Sequence, residues 1–174
     1  MKQIKKVSDE VYYTNVRLTK CNKELVEELK LKASNNPRKR VRLCTHDGVT
    51  NKLHEMLIIH EKGCYVKPHK HPGKAESIHV IEGVVDIVTF DDEGSICEII
   101  TMGNYNSGLT FYLRIDTPLY HTLLIRSEVL VFHEITNGPF DRDETVFAPW
   151  APEDGDIERI ESFTTDLNKK LKFQ

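Results

Sequence analysis

Gly63-Cys64-Tyr65-Val66-Lys67-Pro68-His69-Lys70-His71-Pro72-Gly73-Lys74-Ala75-Glu76, running on to Gly83, is the stretch around which the chain is organised. It sets two histidines one residue apart, a glutamate five residues after the second, and a glycine at each end. In an extended strand alternate side chains share a face, so His69 and His71 project together. Pro72-Gly73 then turns the chain, and Glu76 returns to the same spot from the start of the next strand. Two imidazoles and a carboxylate converging on one point suit a divalent transition metal such as Zn, Fe, Mn or Ni. A fourth ligand has to come from a distant strand. His121, at the head of the apolar run His121-Thr122-Leu123-Leu124-Ile125, is the candidate.

Outward from this stretch, the chain reads as a succession of short strands from about Leu53. The expected strands are Leu53–Glu61, Tyr65–His71, Ser77–Glu82, Val84–Phe90, Ser95–Thr101, Thr110–Leu113, Tyr120–Arg126 and Glu128–Ile135. Turn-forming residues separate them, among them Asp92-Glu93-Gly94, which reads as a hairpin turn with glycine supplying positive φ. About eight strands with no helix between them predict an antiparallel barrel or a double-sheet jelly roll.

The flanks differ. Glu10–Val16 alternates, as expected of an edge strand or an arm reaching to a partner subunit. Leu25, Val26 and Leu29 recur at helical spacing, with Asn22 placed to cap the helix and Pro37 beyond its end. The basic run Pro37-Arg38-Lys39-Arg40, with Arg42 beyond, is either a solvated turn or a set of guanidinium groups for an anionic ligand. After Ile135 come Gly138-Pro139-Phe140 and Phe147-Ala148-Pro149-Trp150-Ala151-Pro152-Glu153, a tail expected to pack on the rest, and then a terminal helix over 157–172. The expected organisation is a single unit: an N-terminal arm and helix over 1–50, a barrel over 51–136 and a packed C-terminal extension over 137–174.

Composition narrows the classes. The 174 residues are 39% apolar and 29% charged with a net charge of −3, which gives no reason to expect a nucleic-acid partner. No apolar run approaches the roughly 20 residues of a membrane helix, and the basic start lacks a secretory apolar segment. The four cysteines are scattered, and reduced thiols in a cytoplasm are the expectation.

Gly63-x5-His69-x-His71-x4-Glu76-x6-Gly83 resembles the first motif of the cupin superfamily. Pro118-x-x-His121 resembles the second, with Leu119 or Tyr120 where a glycine usually stands. The resemblance implies a cupin jelly-roll β-barrel and the ligand set His69, His71, Glu76 and His121. A narrower resemblance takes in Asn36–Arg40, His46-Asp47, the cupin motif and the tail from Gly138 to Glu153. Together they look like the WbuC family of small cupin-fold metalloproteins, whose members often lie among O-antigen and surface-polysaccharide genes.

Three neutral imidazoles and one carboxylate around a divalent ion leave a net charge of about +1 and open positions for a ligand with adjacent oxygens. The expected function is a metal-dependent enzyme, an isomerase, epimerase or dioxygenase, acting on a sugar-derived or oxygen-chelating small molecule. The alternative is a non-catalytic metal- or sugar-binding module of a polysaccharide pathway. His46 and Glu134 are the candidate proton-transfer groups, and Arg38, Arg40, Arg42 and Tyr65 the candidate substrate contacts. His54, His60, His79 and His133 lack comparable spacing and read as surface or strand residues. A homodimer is expected, since barrel sheets readily associate through their edges.

Overall fold

Local chemistry sets the order of elements in the computed structural model, which describes residues 4–171. Residues 1–3, part of the basic start, and 172, expected in the last helix, lie outside the described residues. Strands β1 (Ile4–Lys6) and β2 (Val11–Thr14) precede helix α1 (Lys23–Ser34). Asn22 caps α1 as expected, its side chain accepting a hydrogen bond from Leu25 N at 3.1 Å. Strands β3 (Arg40–Cys44), β4 (Leu53–Glu61), β5 (His69–Lys70), β6 (Glu76–Glu82), β7 (Val84–Phe90) and β8 (Ile96–Gly103) follow. Then come β9 (Tyr112–Ile115), β10 (Tyr120–Ile125), β11 (Val129–Asn137), β12 (Val146–Phe147) and helix α2 (Ile157–Leu171).

The strands form two sheets, β1-β2-β3-β4-β11-β6-β9 and β12-β5-β10-β7-β8. All pairs are antiparallel except β2 with β3, which is parallel. Two facing sheets, between which the chain crosses repeatedly by short connections, make the cupin jelly-roll barrel that the motif implies. Its interior holds Met56, Ile58, Ile78, Val80, Leu123 and Phe132.

Both outer faces are covered as well. Leu29 and Ala33 of α1 pack on Val41, Leu43 and Ile59 of the larger sheet. Leu167 of α2, with Ala148 and Ala151 of the tail, packs on Val88 and Phe90 of the smaller one. Double coverage explains why β7 is buried along almost its whole length instead of alternating. Asp86 on β7 is satisfied by Arg126 Nε at 2.6 Å and Thr101 Oγ1 at 2.7 Å, and Arg126 reaches on to Asn168 of α2.

Two local expectations change. Tyr65–His71 is a strand only over His69–Lys70, because Pro68 and Pro72 lack the amide protons that a ladder needs. The Arg-rich segment is an exposed turn over Pro37, Arg38 and Lys39 and then a strand. Arg40–Cys44 is an inner strand between β2 and β4, with Val41 and Leu43 under α1. Residues 1–50, expected as arm and helix, thus supply three strands of the larger sheet.

Candidate metal centre

The centre is assembled from both sheets. His69 on β5 lies directly across from His121 on β10, with ring centroids 4.6 Å apart. His71 follows in the turn, 4.9 Å from His69 by ring centroid. The ring nitrogens of His69, His71 and His121 gather within 4.8 Å of one another. Glu76 opens β6 in the opposite sheet and points at them, its Oε1 2.7 Å from His121 Nε2 and its Oε2 3.7 Å from His71 Nε2. Ala75, just before it, is pinned by Asn137 Oδ1 and by the Thr136 hydroxyl.

Backbone carbonyls orient the rings. His69 Nδ1 donates to Lys67 O at 2.8 Å and His121 Nδ1 to Leu119 O at 3.1 Å. Each Nε2 is left with a lone pair turned to the centre, the outer support typical of ligating histidines. Leu119 and Tyr120, either of which stands where the family resemblance places a glycine, need no glycine. Among the described residues only Lys39 of the non-glycines has positive φ.

The donor chemistry fits a divalent transition metal. Burial, then the neighbouring His121, pushes His69 down to about 3. Burial also lowers His71. Burial opposes the Glu76 charge, but the three histidines outweigh it and hold that carboxyl at about 2. His121 is drawn up by Glu76 against its own burial. Glu76 Oε1, although 2.7 Å from an imidazole nitrogen, has no aligned donor among the described residues. A buried carboxylate oxygen facing three converging lone pairs is the setting that a cation satisfies.

These groups line one end of a cavity of about 390 Å³. Glu134 lines it too, on the inner face of β11 across from Met56 and Ile78. Burial, then the charge of Glu76, raises its carboxyl to about 7 against the pull of Arg42. His46 is buried in the cavity wall, its ring stacked on His54 at 4.0 Å and its Nδ1 3.1 Å from the Glu55 backbone. His54 and His60, which read from sequence as ordinary strand or surface positions, are both buried and line the cavity. The signal that could have shown this is parity, since His54, Met56, Ile58 and His60 alternate along β4 toward one face.

Tyr65 is a correction. Its hydroxyl donates to Pro152 O at 2.9 Å and its ring meets Phe163 edge-on, away from the metal ligands. The irregular chain between Tyr65 and Pro68 breaks the alternation that would have put it on the histidine face. Trp150 likewise sits outside the cavity, against Phe90, Tyr120 and Phe163. The tail reaches the cavity through Phe147 and Asp154 instead.

Residues 21–102 match a family model described only as a domain of unknown function, DUF6016. No curated protein matches the chain. Among solved structures, oxalate decarboxylase from Bacillus subtilis, a protein with Mn(II) centres, is 19% identical over 56% of this chain at a TM-score of 0.45. Protein SO0799 from Shewanella oneidensis is 10% identical over 59% of this chain and 66% of its own, with a TM-score of 0.48. CapF from Staphylococcus aureus, a capsular polysaccharide assembling protein, is 19% identical over 61% of this chain and 31% of its own, with a TM-score of 0.47. The chain spans only 24% of the decarboxylase chain.

Proposed function

We propose that the protein is a metal-dependent enzyme acting on a small, oxygen-chelating, sugar-derived substrate. The observation that carries this is the convergence of three lone-pair-bearing imidazoles and a buried carboxylate in one cavity. In it, His69, His71, Glu76 and His121 hold one divalent transition metal. Such an ion supplies Lewis acidity toward paired substrate oxygens.

The remaining work falls to the chain. Glu134, with a carboxyl near neutrality, takes or returns a proton at the substrate carbon or hydroxyl. His46 borders the same space as a hydrogen-bonding wall. Glu134 is preferred of the two because it feels the charge of Glu76 and His121, whereas His46, with Nδ1 on the backbone and Nε2 unpartnered among the described residues, serves as a hydrogen-bonding group. Proton transfer next to a polarised carbonyl is the step of an isomerase or epimerase, so that class is preferred to dioxygenation. The WbuC-like motifs support a role in cytoplasmic surface-polysaccharide metabolism, and we infer a homodimer, which light scattering at twice the 20.1 kDa chain mass tests.

The deciding experiment is elemental analysis of the purified protein beside His71→Ala, followed by incubation with nucleotide sugars and mass analysis of products. One equivalent of a transition metal, lost in the variant, is the expected result. Unchanged metal content in the variant removes the ligand assignment. Metal without any new product favours a binding module instead.

A further inference from the structure

Away from the metal ligands, the largely apolar cavity wall carries a cluster of arginines. Arg38, Arg40 and Arg42 all line it. Two of them are already matched. Arg40 Nε lies 2.7 Å from Glu10 Oε2, and Arg38 meets Asp154 and Glu10. Arg42 makes no ion pair within 4.0 Å among the described residues, although Glu134 lies near enough to feel its charge. Side chains from several strands line the same cavity: Tyr13 on β2, Cys44 on β3, His60 on β4 and Glu134 on β11. His60 is buried in the cavity wall and its Nδ1 has no hydrogen-bond partner among the described residues. Arg42 and His60, diagonal to one another on paired strands, thus offer an unpaired guanidinium and an unpartnered buried imidazole to the same cavity, donors suited to an anion.

The cavity size limits what can come. About 390 Å³ is near the lower end of the roughly 300–1,000 Å³ usual for small-molecule sites, which admits a metabolite and not a polymer chain. We propose that Arg42, assisted by His60, is the specificity-determining anion subsite. The substrate class is then a small two-ended molecule, with paired oxygens for the metal-ligand end and a carboxylate or phosphate for Arg42. This rests on the metal-chelating function proposed above and narrows it. A neutral sugar satisfies one end and leaves the Arg42 guanidinium without a partner, whereas a sugar acid or sugar phosphate satisfies both.

The test uses cobalt-loaded protein and three probes with the same α-hydroxy carboxylate head: lactate, malate and 3-phosphoglycerate. Binding is read from the visible cobalt spectrum. Malate or 3-phosphoglycerate is expected to bind at least about tenfold tighter than lactate, the better of the two identifying carboxylate or phosphate. Arg42→Gln is expected to remove that advantage and leave lactate unchanged, and Arg42→Lys to restore part of it. In metal-free protein, malonate and inorganic phosphate probe the Arg42 end alone by calorimetry. Circular dichroism checks the fold of each variant, and Arg42→Lys carries the comparison if Arg42→Gln does not fold.

The outcomes separate the two claims. Lactate without effect on the spectrum removes the chelating function, while malonate or phosphate binding lost in Arg42→Gln still upholds the subsite. An advantage that is absent in the native protein, or that survives in Arg42→Gln, overturns the subsite. So does the absence of any malonate or phosphate binding when lactate has no effect.

Discussion

At the scale of single residues, Glu134 is a carboxyl kept on the protonated side of its ordinary range by burial and by the charge of Glu76. Its folded value of about 7 lies above the ordinary 4.5, so between these limits the folded chain holds a proton that the unfolded chain has lost. Stability from this group is complete below about pH 4.5 and is lost as pH rises through 7. Glu134→Gln keeps the shape and removes the titration. In metal-free protein the variant is expected to be more stable than the native chain by about 3 kcal/mol at pH 8, and equal to it near pH 4. Urea unfolding at the two pH values measures this, and equal stability at both would mean the carboxyl is solvated. A group that weakens the fold when ionised is what a proton-transfer residue is expected to be.

At the scale of elements, two turn glycines have separate jobs. Gly83 joins β6 to β7 with φ of +91°, and a Cβ there would collide with the Val129 carbonyl oxygen and the Ser127 hydroxyl. That hydroxyl accepts from Val84 N at 2.9 Å, so the turn before β11 and the turn after β6 are packed as one unit. Gly83→Ala is expected to cost about 2–3 kcal/mol from the positive φ and the forced shift, read as a lower urea midpoint with an unchanged slope. Gly94, with φ of +89°, has a second reason to be glycine, because the Trp150 ring lies 3.0 Å from where its Cβ would be. The hairpin at Asp92-Glu93-Gly94 was legible from its residues. Its role as the seat for the tail was not, because a contact between residues so far apart in sequence leaves no local pattern.

At the scale of the whole molecule, the ligands bridge the two sheets. His69 and His121 belong to β5 and β10, and Glu76 to β6 across the barrel. An ion held by this set would tie the sheets together and favour the folded chain. Removing it with a chelator is expected to lower the melting temperature by about 5 °C or more, restored by one equivalent of metal. A melting temperature indifferent to chelator would argue against a resident ion. Among the described residues, no helix is long and apolar enough to cross a membrane.

By itself the sequence determined the motif, the β-strand succession, the capped helix after Asn22 and the place of His121 as the closing member of the set. These rest on short-range rules: strand parity, turn glycines, a cap and the fixed spacing of a family pattern. Tertiary structure alone decided which charges are spent and which are free. Arg38 and Arg40 are matched by Glu10 and Asp154, and Arg42 is left to the cavity, because β2 and the tail fold over the same strand. It also buried His54 and His60 and turned Tyr65 away. Burial and charge pairing depend on what the rest of the chain brings alongside, and no window of sequence contains that.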